Sequence, residues 1–198
     1  MNKLNDKHIS LSSYVQAVSV LTDYARIVLT SYDKTSNETR DIIIMNFMAR
    51  SITSLRGILS LWQTQDYHDC WVLYRSILDR LFHLETLGRD DSFEAFDDWC
   101  FKNAYEYKIR CLSDSTIAEK IDETNREYFT PSKEDEKRFS ELNKENITWK
   151  RPKASDVASK MGLDILYNYG YDFASGFVHP TSKEGKEDYS RLTKQPLD

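Results

Sequence analysis

Two apolar runs with helical spacing follow one another with almost nothing between them. In Asp41–Gln65, Ile44, Met48, Ile52, Leu55, Leu59 and Trp62 recur at steps of three and four and make one continuous stripe. In Tyr67–Leu87, Tyr67, Trp71, Tyr74, Leu78, Leu81 and Phe82 share one side, with Asp66 as N-cap and Gly88 as the C′ stop. Helices joined by so short a link have to be antiparallel neighbours. The sequence therefore predicts an all-α fold, an antiparallel helical bundle with these two long helices as its central hairpin.

The rest of the chain agrees with that class. Only 6 glycines and 4 prolines occur in 198 residues, too few for many strands and turns. A first helix is expected from Ser10 or Ser12 to about Ser31, with Tyr14, Val18, Leu21, Ala25 and Val28 on its apolar face. The stretch Asp33 to Asn37 reads as a loop. Ser92 starts a fourth helix carrying Phe93, Phe96, Trp99, Cys100, Ala104, Tyr107 and Cys111. Residues 113–147 read as a charged, solvated helical excursion, with a helix start at Thr130-Pro131 and an apolar edge limited to Phe139 and Leu142. Ser155 is expected to cap a short helix that ends at Gly162, and a last helix to run from Leu163 to Val178, closed by His179-Pro180. Residues 1–180 are read as a single helical-bundle domain and 181–198 as a polar C-terminal tail.

Composition removes several functions. The net charge is −5 and the pI about 5.5, so no broad DNA-binding surface is expected. Lys150-Arg151-Pro152-Lys153 is a short basic run and reads as a solvated loop. Cys70, Cys100 and Cys111 lack metal or disulfide spacing and read as reduced thiols. The first thirteen residues are polar, and the apolar stretch Ile42–Ala49 is short and interrupted by Asn46, so a cytoplasmic protein with no membrane contact is expected. There is no phosphate-binding glycine loop and no nucleophile elbow. His8, His68, His83 and His179 do not approach ligand spacing, so no metal and no cofactor are expected.

Two polar groupings stand out. Arg75, Asp79 and His83 follow at i,i+4 along the third helix, where an arginine–aspartate pair either fixes the guanidinium or amounts to a surface ion pair worth a few tenths of a kcal/mol. Glu85 falls near the centre of that helix's apolar face, where Arg50 or Arg56 would be its partner. On the last helix Tyr167, Tyr171, Ser175 and His179 form a ladder. Such a ladder can hold a phosphate or relay a proton; equally, it can be buried tyrosines with satisfied hydroxyls and a histidine at the helix end.

The set Ala49-Arg50-Ser51-x3-Leu55, Leu73-x-Arg75-Ser76-x2-Asp79, Trp149 and Tyr167-x3-Tyr171-x3-Ser175-x3-His179-Pro180 resembles a bacterial family of uncharacterised helical domains. That family usually shows glutamate where this chain has Asp79. The resemblance implies that the third and last helices pack together, which would gather Arg75, Asp79, Ser175 and His179. A more distant similarity is to the HEPN helical bundles, many of them ribonucleases of toxin and phage-defence systems that place an arginine shortly before a histidine. Here Phe173, Ala174 and Ser175 occupy those slots, so the nuclease motif is not matched.

Three readings follow. The first is a helical binding or interaction module of a bacterial stress or phage-defence system. It would engage a protein partner, a second copy of itself or a small anionic ligand through Arg75, Asp79, Tyr171, Ser175 and His179. The second is a metal-independent ribonuclease, with His179 as acid/base and Arg75 stabilising phosphate charge on RNA. The third gives the cluster a purely structural role.

Overall fold

The structure is a computed structural model that describes residues 11–33, 38–121, 123–145, 149–179, 189–190 and 193. The Ser10 cap, most of the Asp33–Asn37 loop, Pro180 and most of the C-terminal tail lie outside the described residues. The described chain is helical throughout: α1 (Leu11–Asp33), α2 (Thr39–Gln63), α3 (Tyr67–Asp90), α4 (Phe93–Ser113), α5 (Ser115–Ala118), α6 (Glu123–Phe129), α7 (Lys133–Leu142), α8 (Ala154–Lys160), α9 (Asp164–Leu166), a π-helical segment (Tyr167–Asp172) and α10 (Phe173–Ser175). It divides into two compact units, Met1–Glu85 with Pro152–Asp198, and Thr86–Arg151.

In the first unit α2 and α3 form the expected hairpin. Trp62 meets Tyr67 edge-on at 4.9 Å, the Cys70 thiol reaches the Ile58 carbonyl at 3.5 Å, Gly57 lies against Leu73, and Phe47 stands 6.5 Å from His83. Residue numbers fall on one helix as they rise on the other, which is the antiparallel register. Of the stripe read from the sequence Trp62 meets α3, while Phe47, Gly57 and Ile58, also at that contact, lie outside the stripe. The buried residues are Ile43 and Ser54, roughly 120° round the helix from the stripe centre. The cause is that α2 packs against α1 as well as α3. A helix with two neighbours is apolar on two sides, and its widest stripe does not say which neighbour it meets. Among the described residues α2 is also long and apolar enough, by length and composition alone, to cross a membrane. Among the described side chains of α1 only Val18 and Ala25 are buried, while Tyr14 and Leu21, expected on its apolar face, are exposed.

The core of this unit joins segments far apart in sequence. Leu78 and Phe82 of α3 pack on Val157 and Ala158 of α8, flanked by Tyr74, Met161, Leu166, Tyr167 and Tyr171. The predicted last helix is helical but not uniformly α. Residues 167–172 adopt π geometry, in which the backbone bond spans one residue more and the turn widens. Gly170 permits this arrangement to dock. A Cβ there would lie 2.8 Å from Tyr74 Cε1 and 3.1 Å from Leu78 Cδ1, so only glycine brings the backbone that close to α3.

Three helix ends close with the same hydrogen-bond pattern. The amide of Asp66 donates to Leu61, that of Ser92 to Leu87 and that of Leu163 to Ala158, each across a residue with positive φ. Those residues are Gln65 (φ 62°), Asp91 (φ 46°) and Gly162 (φ 68°). The expected stop at Gly88 is therefore overturned. α3 runs through it, because Asp91, not Gly88, takes the left-handed turn. α8 also begins one residue before Ser155, with Lys153 in the capping position.

In the second unit α4 packs on α5, α6 and α7. α7 starts later than Thr130-Pro131, at a reciprocal capping box between Ser132 and Asp135. The excursion is docked on α4, not solvated all round. Phe139 stacks on Tyr105 at 4.1 Å, Leu142 is buried, and Arg138 spans Asp97 and Asp98 at 2.6 and 2.8 Å. Trp149 is buried against Phe96 and Trp99, each at 4.8 Å. All three cysteines are free thiols, and burial together with Asp97 pushes Cys100 up to about 11.

Two outcomes test this packing in chemical denaturation. Phe82→Ala, which empties a site only 1% exposed, should cost about 3–5 kcal/mol. Gly162→Ala should cost roughly 1 kcal/mol, whereas Gln65→Gly, at the same backbone position of its own helix end, should be neutral or stabilising by up to about that amount.

Candidate functional site

The π-helical segment lays its side chains on the outer turns of α3, within the first unit. Arg75 lies at the centre. Its Nε donates to Ser175 Oγ at 2.9 Å, and one Nη2 hydrogen goes to the Tyr171 hydroxyl at 3.2 Å. The guanidinium carbon also sits 4.6 Å above the Tyr171 ring, a cation–π contact. The Tyr171 hydroxyl in turn donates to Asp79 Oδ1 at 3.2 Å, and Ser175 donates to the Tyr171 carbonyl at 2.8 Å.

This chain of donors fixes where the protons go. Each hydroxyl accepts from arginine and gives its own proton to an oxygen further in. Arg75 and Asp79 are thus linked through Tyr171. Among the described residues they form no direct ion pair, unlike the i,i+4 pair the spacing suggests. Asp79 lies 4.0 Å from His83 Nδ1, while that nitrogen lies 2.7 Å from the Asp79 carbonyl oxygen. A contact so short to a carbonyl requires a proton on Nδ1.

Arg75 has five N–H donors, of which two are used here. Among the described residues no buried side-chain nitrogen lacks a partner, so Nη1, which has none here, is not sealed from solvent. The result is a guanidinium held in one pose by neutral hydroxyls and an aromatic face, with one edge open. The Ser175 proton goes to a backbone carbonyl, which is no base, and the Tyr171 proton goes to the Asp79 carboxylate.

The structure brings together Arg75, Asp79, Tyr171 and Ser175. It does not bring in His179. That residue is exposed, its amide donates to the Ser175 carbonyl at 3.2 Å, and among the described residues no hydrogen bond joins its imidazole to the cluster. Tyr167 stacks on Tyr171 at 5.7 Å with ring planes 18° apart. The expected partner for Glu85 does not appear either: it is half-buried, and among the described residues no ion pair joins it to Arg50 or Arg56. His68 stacks on Phe177 at 4.9 Å. Among the described residues no group of three or more His, Cys, Asp or Glu side chains could hold a metal ion.

The sequence reading missed a second feature of this unit, an apolar cavity of about 380 Å³ bordered by Trp62, Trp71, Tyr74, Tyr169 and Gly170. The signal for it was Gly170 in a helix interior, which marks a close backbone approach.

Tyr171→Phe separates the hydroxyl from the ring. It keeps the aromatic face under Arg75 and removes the link to Asp79, so it should cost about 1 kcal/mol in denaturation and speed exchange of the Arg75 Nη2 proton. Among known proteins, no curated sequence and no solved structure matches this chain. A family model does match, over residues 41–192, which takes in both halves of the cluster and leaves α1 outside. The chain belongs to that family, a family of unknown function (DUF5677).

Proposed function

We propose that this chain is a helical binding module that captures an anionic group, a phosphate or a carboxylate, on the open edge of Arg75. The observation that carries this reading is a guanidinium fixed on three sides and, among the described residues, paired directly with no carboxylate. An arginine fixed before binding loses little side-chain freedom on binding, and its planar fork suits a two-oxygen acceptor. Tyr171 and Ser175 act as positioning residues, and Asp79 anchors Tyr171 from behind.

The anion can come from a protein partner or from a small ligand, and both present the same chemistry to Arg75. The setting we infer, a bacterial stress or phage-defence system, follows from the resemblance noted for the sequence. A ribonuclease would need an acid/base beside the arginine. His179, the candidate, has no hydrogen bond to it, so the binding reading is preferred.

The test is thermal unfolding with and without inorganic phosphate. Phosphate should raise the melting temperature of the parent protein, Arg75→Ala should abolish that rise, and Arg75→Lys should keep only part of it, since it retains the charge without the fork. A structural role predicts a different pattern: no phosphate effect in the parent, and a loss of about 3–5 kcal/mol in both Arg75→Ala and Asp79→Ala. That pattern would sink the proposal.

A further inference from the structure

The cavity beside the arginine cluster has its own chemistry. It opens between the end of α2, the first turns of α3 and the π-helical segment, and four rings line it: Trp62, Trp71, Tyr74 and Tyr169. Its size, about 380 Å³, is that of a small-molecule site. Two of the rings form an exposed rim, with Tyr169 75% and Trp62 49% accessible. Trp71 is held edge-on by both Tyr74 (5.9 Å) and Phe173 (4.9 Å), so the inner wall is fixed before any ligand arrives.

Arg75 follows the lining residue Tyr74, but its guanidinium is engaged by Ser175 and Tyr171, and the cavity's own segments are acidic. The two stretches that build it, residues 58–74 and 164–172, contain Asp66, Asp69, Asp164 and Asp172 and no lysine or arginine. Among the described residues Asp66 and Asp69 form no ion pair, and the Asp66 carboxylate accepts only the backbone amide of Asp69, at 3.5 Å. Their field reaches the cavity wall. The Cys70 thiol, part of that wall, is pushed up by burial and then by the carboxylates of Asp66 and Asp69.

Aromatic faces carry negative potential and attract cations. The apolar wall offers no oxygen ligands to replace the water of a metal ion, so an inorganic cation would stay outside. An ammonium group covered by alkyl substituents has no such demand. It suits rings, apolar contact and nearby carboxylates together. We propose that this cavity binds a small organic cation, an alkylated ammonium group enclosed by Trp62, Trp71, Tyr74 and Tyr169. The site is separate from Arg75 and does not depend on the anion-binding reading.

Choline and 3,3-dimethylbutan-1-ol have the same shape and differ in the charge of one atom, so they isolate the electrostatic part. Titration of each into the full chain, followed by the indole N–H resonances of Trp62 and Trp71, should show choline moving both signals. Choline should bind about tenfold or more tightly than the alcohol. Tyr169→Ala, at an exposed position, should weaken choline about threefold or more with the melting temperature unchanged. Asp69→Asn should weaken it too, and the effect should fade as salt is raised. Equal affinity for the two probes would overturn the cationic assignment, and failure of choline to move either indole signal would overturn the site.

Discussion

The contact on which the site depends is the approach of the Gly170 backbone to Tyr74 and Leu78 on α3. It is a steric permission more than an attraction. Without a Cβ the π-helical segment lies close enough for Tyr171 to slide under Arg75 on one side and for Tyr169 to rim the cavity on the other. The attraction that holds it there comes from below, where Phe82, Leu78, Val157 and Ala158 exclude water and Phe82 meets Tyr171 at 5.8 Å. A side chain at position 170 would not remove any polar contact directly. It would separate the two elements that share those contacts, and both the arginine cluster and the cavity would loosen together.

The ladder of tyrosines and serine begins in the π-helical segment. In this segment Tyr167 stacks on the Tyr171 ring, and that ring also carries Arg75. Ser175, already in α10, returns its proton to the Tyr171 carbonyl, a backbone group at the end of the irregular segment. The same hydroxyl therefore steadies the irregular backbone and orients the arginine.

Much of the fold was legible. Periodicity gave the helical class and the α2–α3 hairpin, because a long apolar period and a near-absent link leave few alternatives. The meeting of Arg75 with Ser175 came from the resemblance and not from spacing, since no local rule relates residues one hundred positions apart. What remained hidden has physical causes. Gln65 and Asp91 take left-handed turns that a reader assigns to glycine, so Gly88 drew the helix end that Asp91 supplies. The sequence Tyr-Asn-Tyr-Gly-Tyr-Asp has no propensity that separates π from α. The docking of α7 rests on one aromatic stack, one buried leucine and one arginine between two aspartates, too little apolar surface to show as a face.

The order of the chain adds a constraint in time. The core of the first unit pairs Leu78 and Phe82 with Val157 and Ala158, and the whole of Thr86–Arg151 lies between them in sequence. On a growing chain α3 is finished long before α8 exists, so its apolar side waits uncovered while the intervening unit is made. Contacts of such separation form late and slow folding, and the waiting surface is open to wrong partners. Thr86–Arg151, with its own aromatic packing around Trp149, can settle first and shorten the effective loop that α8 has to close. The arginine cluster is made by residues on both sides of that loop, so it needs the loop to be closed.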